Sequence, residues 1–159
     1  MSIAVFGSIN MDVTAYMHRL PKPGETLQGK EYKLGLGGKG ANQAVAARKL
    51  GSEVDFICRL GSDDFAKPAE RELASYGVDL SLAAKDEGGA TGIAIINVGE
   101  GGENYISLIG GSNLRLDATE PHELLIADPH LVSQRTQMLF NQVSREAIVS
   151  CGYRCVCCK

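Results

Sequence analysis

The stretch GLGGKGANQAVAARKLG, residues 35–51, constrains the architecture of this chain more than any other. Gly35, Gly37, Gly38 and Gly40 crowd its first part. Helix-forming residues then run from Ala41 to Leu50, and Gly51 supplies a natural C-terminal stop. Glycine at this density lets backbone approach a ligand or a neighbouring strand closely. Lys39 adds donors, Asn42 adds an amide that both gives and accepts, and a helix N-terminus adds positive potential. This set suits a polyhydroxylated or phosphate-bearing ligand. A glycine-rich turn needed only for close helix–strand packing explains the same residues as well.

Punctuation elsewhere sets the order of elements. Ile3 to Phe6 reads as a buried first strand ended by Gly7-Ser8, and Thr14 to Tyr16 fits a neighbouring strand. LPKPGETLQG (20–29) is a turn segment, and Glu31 to Leu36 is a further strand candidate. Glu53 to Leu60 is predicted as a strand. Ser62-Asp63-Asp64 is predicted to cap a helix through Tyr76, with Gly77 as its stop. Thr91 to Val98 and Asn104 to Ile109 are predicted to pair as a hairpin across GEGGE. A helix-rich segment over 117–133, a strand over Gln137 to Phe140 and a helix opening at Ser144 complete the pattern. Such alternation argues for an α/β sandwich with a largely parallel sheet, with the 14–36 and 91–109 strands as extra β material.

Composition narrows the class. The chain has 159 residues, 44% of them hydrophobic and 22% charged, which suits one globular domain able to bury a core. A net charge of −3 suggests neither a nucleic-acid surface nor an anionic membrane as partner. No apolar run approaches the ~18 residues of a membrane span. The start, MSIAVFGSIN, lacks the basic and apolar regions of a signal peptide, so the cytoplasm is the expected location. Cys58 reads as a small buried hydrophobe. Cys151, Cys155, Cys157 and Cys158 crowd the end in an unusual spacing with no His nearby. That tail reads as foreign to the fold rather than as a zinc site.

GLGGKG matches G-x-G-x-x-G in letters, but it does not follow the first strand, and Asp55 falls too soon for a ribose-binding acid. A phosphate loop of the Walker type fails too, because Gly40 follows Lys39 where Ser or Thr should hold magnesium. A second polar set lies in GSINMD, residues 7–12. Asn10 and Asp12 are two apart, so on an extended chain they face the same way. An acceptor carboxylate beside an amide can grip vicinal hydroxyls. An Asx turn closing the first strand is the plainer account of the same pair.

GSINMD, LPKPGET, GGKGANQAVAARKLG, RLGSDDF and TGIAIINVGEGGENYISLIGGSN occur in this order. Together they closely resemble the ribokinase family, the PfkB-type carbohydrate kinases, from about residue 3 to residue 150. GEGGEN followed by GGSN points to the ribokinase branch. The resemblance implies a ribokinase-like α/β/α sandwich with a small β lid at about 14–36 and 91–109. It implies ATP-dependent transfer of a phosphoryl group to a sugar's primary hydroxyl, with D-ribose giving ribose 5-phosphate. Asn10, Asp12, Gly38, Lys39 and Asn42 would then bind the sugar. Gln142 would stand where the family places a sugar-binding glutamate. ATP and Mg²⁺ would be the cofactors, with a monovalent cation as a further candidate, and the lid could form a homodimer.

The family's D-T-x-G-A-G-D loop, which carries the general base and the anion hole, is absent from this sequence. No catalytic residue and no metal ligand is therefore assigned. NVGE (97–100) matches a magnesium-linked family motif only in letters, at the wrong place. Family members run to about twice this length, so the resemblance implies the truncated N-terminal part of a kinase over 1–150 with an aberrant tail over 151–159. Three alternatives stand beside the kinase: an inactive sugar-binding module, a non-functional fragment, and a related kinase for another sugar or nucleoside.

Overall fold

In the computed structural model the described residues are 2–116, 148–151 and 154–155. Three strands open the chain: β1 (Ser2–Phe6), β2 (Asn10–Met17) and β3 (Glu31–Gly37). Helix α1 (Lys39–Lys49) leads to β4 (Glu53–Ile57) and the short β5 (Arg59–Leu60). Helix α2 (Ala66–Ser75), β6 (Ala84–Lys85), β7 (Gly92–Gly99) and β8 (Asn104–Ile109) follow. A 3-10 turn spans Gly111–Arg115, and β9 (Ile148–Cys151) and β10 (Arg154–Cys155) complete the set.

The described strands divide into two four-stranded sheets and one small pair. The first sheet has the order β10-β9-β1-β4, with β1 and β4 parallel and β9 antiparallel to β1. The second has the order β3-β2-β7-β8. Parallel β5 and β6 form the pair. The β material left over from the α/β alternation thus becomes a sheet of its own.

Helices α1 and α2 form a layer on one face of the first sheet. Val5 and Phe56 point into that layer and are fully buried, with Leu73 of α2 and Ala41 and Ala44 of α1. Sequestering a side chain such as Phe56 or Leu73 stabilises the fold by about 1.5–3 kcal/mol. The helix face of α1 is built from alanine, so α1 lies close to the backbone before β2. The Ala41 amide donates to the Ser8 carbonyl at 3.1 Å. A Cβ on Gly40 would sit 2.7 Å from the carbonyl carbon of Gly7. On the other sheet face Phe6 and Ile57 are covered by Leu82 and Leu116.

Some expectations change. The first sheet is mixed rather than largely parallel, because β9 runs against β1. The helix expected to open at Ser144 does not cover its last residues: Ile148–Cys151 is a strand. β-branched Ile148 and Val149 pair with Phe6 and Val5, and sheet pairing outweighs the local cap signal. This strand crosses residue 150, and β10 lies beyond it. Helix α2 starts at Ala66 with no side-chain cap. Ser62 and Asp63 are engaged elsewhere, accepting from the amides of Gly88 and Thr91 at 2.9 Å each. The expected helix over 117–133 and strand over 137–140 lie outside the described residues. Cys58 is a free thiol at 0% exposure, and burial pushes its pKa up, as expected of a small core residue.

Candidate functional site

Asn10 and Asp12 do not form a turn. They lie within β2, on one face of the second sheet, where the register sets them opposite Gly37 and Gly35 of β3 and Gly92 and Ala94 of β7. Glycine and alanine neighbours leave room above the sheet on that face. Asp12 uses the room: its carboxylate lies over the backbone of Gly37, in the space a Cβ there would fill. Asp12 is half-buried and has no hydrogen bond or ion pair among the described residues. Burial raises its pKa from the ordinary 3.8.

Gly38 holds the junction between β3 and α1. Its φ of 93° belongs to the region that glycine tolerates, and a Cβ would meet the Ser8 carbonyl oxygen at 2.6 Å. The close packing that these glycines allow is present. Gly38 and Gly40 permit close packing, and Gly37 makes room for a carboxylate. Lys39 and Asn42, on the first turn of α1, are exposed.

These groups converge. Asn10, Asp12, Gly38, Lys39 and Asn42 all line one cleft of about 410 Å³. Its remaining wall is apolar, with Ala94, Ile96, Ile106 and Leu108 from the same sheet face. A cleft with a few convergent polar groups on an apolar wall suits a small polar molecule with one apolar side. Gln142 lies outside the described residues.

Asn113 is the residue the sequence reading passed over. It sits in the 3-10 turn, yet its side chain reaches the start of β2. The Ile9 amide donates to Asn113 Oδ1 at 2.9 Å. Asn113 Nδ2 donates to the Ile9 carbonyl and to Asn10 Oδ1, both at 2.8 Å. The turn itself is anchored through Ser112, which donates to Asp86 Oδ2 at 3.0 Å, and through Arg115, which donates to both Asp86 oxygens at 2.9 Å. The signal was the string GGSN, whose role could not be assigned from its neighbours in sequence.

The described residues hold no ready-made metal cluster. They contain no group of three or more His, Cys, Asp or Glu able to hold a metal ion. Among the described residues Asp12 is the sole carboxylate in the cleft. Glu100, the acid of NVGE, is turned to Lys30 and to His18 at 3.2 Å, at the far end of the second sheet. Those two partners hold its carboxyl below its usual range. Among the described residues no helix is long and apolar enough to cross a membrane.

The chain is similar to deoxyribokinase of Salmonella typhi, 43% identical over 113 residues, covering 71% of this chain and 37% of that protein. It is similar to ribokinase of Haemophilus influenzae, 43% identical over 115 residues, covering 72% of this chain and 38% of that protein. The solved structure of Arabidopsis thaliana ribokinase complexed with ribose and ATP superposes at a TM-score of 0.63 and 38% identity, over 69% of this chain and 36% of that one. The chain thus spans under two fifths of the length of these proteins, and the part it shares with the solved structure is the α/β ribokinase-like fold. Residues 1–154 match the model described as pfkB family carbohydrate kinase, and on that match the chain belongs to this family.

Proposed function

We propose that this chain is the sugar-holding part of a ribokinase-like kinase of the cytoplasm, which phosphorylates D-ribose to ribose 5-phosphate at the expense of ATP. One observation carries the reading. Asp12, a half-buried carboxylate without a partner among the described residues, shares a cleft with Asn10, Gly38, Lys39 and Asn42. A carboxylate partly withdrawn from water and left unpaired carries part of its desolvation cost, and a ligand hydroxyl that donates to it would relieve that cost. Asn10 and Asn42 would add amide contacts, Lys39 would add donors, and the apolar wall of the second sheet would lie against the sugar's carbon face. That sheet would act as a lid that excludes water from the reacting hydroxyl.

This chain is assigned sugar binding and not phosphoryl transfer. ATP, Mg²⁺ and any monovalent cation belong in this reading to the kinase as a whole. The second sheet also supports a homodimer. Its face away from the cleft carries Tyr32, Leu34, Ile95 and Tyr105, which are 69, 53, 41 and 60% exposed. Burying such a face in a second copy would be favourable.

The similarity to a deoxyribokinase favours a second reading, in which 2-deoxy-D-ribose is the sugar. Thermal melts with each sugar decide between them. Ribose should raise the midpoint in a dose-dependent way, and Asp12→Ala should abolish the shift. A larger shift with 2-deoxy-D-ribose would establish the second reading. No shift with either sugar would refute both.

A further inference from the structure

We infer that Asn113 is a positioning residue, which fixes the end of the Asn10 amide that faces the cleft. The identity of the ligand rests on the sugar-site reading above, but the orientation of Asn10 does not.

Backbone polarity sets the assignment. The Ile9 N–H can only donate, so the Asn113 atom 2.9 Å from it is the oxygen. The other end of Asn113 is therefore the NH₂ group, and it has two hydrogens to place. One goes to the Ile9 carbonyl and the other to Asn10, each at 2.8 Å. The Asn10 atom receiving it must be oxygen, since two NH₂ groups face to face would set donor against donor. Asn10 is therefore left with Nδ2 for the cleft that it lines.

The consequence is a fixed donor–acceptor pair. Asn10 offers a donor, and Asp12, two residues along the same strand face, offers an acceptor. Two neighbouring hydroxyls match this pair when one accepts from Asn10 and the other donates to Asp12. A flipped Asn10 would place a second acceptor beside the carboxylate and lose the match. The surroundings hold the pair in place. A Cβ on Gly92 would occupy the space of Asn113 Nδ2 and Asn10 Oδ1, and the Ser112 amide next door donates to the Ala90 carbonyl at 2.7 Å.

Two measurements on the full chain test this. The first needs no ligand: hydrogen exchange of side-chain amides by NMR. Asn113 NH₂ should exchange slowly and Asn10 NH₂ fast, and Asn113→Ala should move the Asn10 amide signals. Slow exchange at Asn10, or Asn10 signals indifferent to Asn113→Ala, would overturn the inference. The second is calorimetric titration of D-ribose into wild type, Asn10→Ala, Asn113→Ala and the double variant. Asn113→Ala should weaken ribose binding about tenfold in the wild-type background, as expected for a misplaced hydrogen bond, and not further once Asn10 is alanine. Equal losses in both backgrounds would mean that Asn113 only braces the backbone. Should Asn113→Ala fail to fold, Asn10→Asp serves. It keeps the bond from Asn113 and turns an oxygen to the cleft, so ribose binding should fall, while a second carboxylate beside Asp12 should lower the melting temperature. Unchanged affinity would overturn the inference. Wild-type protein that ignores ribose would strike the sugar reading alone, with the exchange measurement still decisive for Asn10.

Discussion

The carboxylate of Asp12 lies over Gly37, in the place that a side chain at residue 37 would need. One glycine of the opening loop thereby sets the position of the acid on the neighbouring strand. Gly37→Ala should displace that acid without straining the backbone, since residue 37 is not among the glycines at positive φ. Ribose affinity is expected to fall by about tenfold, or ~1.4 kcal/mol, with little change in melting temperature. Calorimetry beside a thermal melt checks both halves; an unchanged affinity would free Asp12 from this constraint.

Gly40 should behave in the opposite way. Its missing Cβ would press on the backbone of Gly7 at 2.7 Å, and backbone cannot swing aside. Gly40→Ala should cost about 1–3 kcal/mol of stability, through overpacking between α1 and the end of β1. Urea unfolding gives the value, and a loss below that range would show that the helix shifts freely.

The pH dependence of Asp12 has a definite sign. Its folded-state pKa lies above the ordinary 3.8, so protonation is favoured by folding. Its favourable contribution is present below the ordinary value and is lost as pH rises through the folded one. Asp12→Asn should therefore raise the melting temperature near neutral pH, with the gain shrinking in acid, while ribose binding is lost. In the wild type, ribose affinity should fall as acid protonates Asp12, at a higher pH than for an ordinary carboxylate. Melts and titrations across pH test both signs.

Glu25 has the reverse sign. Two guanidinium bonds from Arg19, at 2.7 and 2.5 Å, and one from the Lys22 amide hold its pKa down at about 2. Its contribution is present above its ordinary value of 4.5 and fades as pH falls towards about 2. Carboxyl NMR should find Glu25 still ionised where Asp12 is already protonated.

Local signals carried much of the fold. Gly51 ended α1, the β-branched runs marked β1, β4 and β7, and the Gly-rich loop after Val98 marked the hairpin. The misses came where side chains or strands are used at long range. Ser62 and Asp63 read as caps because their partners, 26 and 28 residues away, are invisible to a local reading. Ile148 and Val149 followed a plausible helix cap, and only pairing with β1 makes them a strand. The cleft was legible because Asn10 and Asp12 share a strand face and the 38–42 segment is compact in sequence. Asn113 was not, because its partners Ile9 and Asn10 stand 104 and 103 residues away.

Backbone NMR of the chain titrated with D-ribose tests the central claim most directly. Amide signals of Asn10, Asp12, Gly38, Lys39 and Asn42 should move together and saturate at one common ribose concentration, and Asp12→Ala should suppress the movement. Signals that stay fixed at these residues, or that move only elsewhere in the chain, would contradict a sugar site in this cleft.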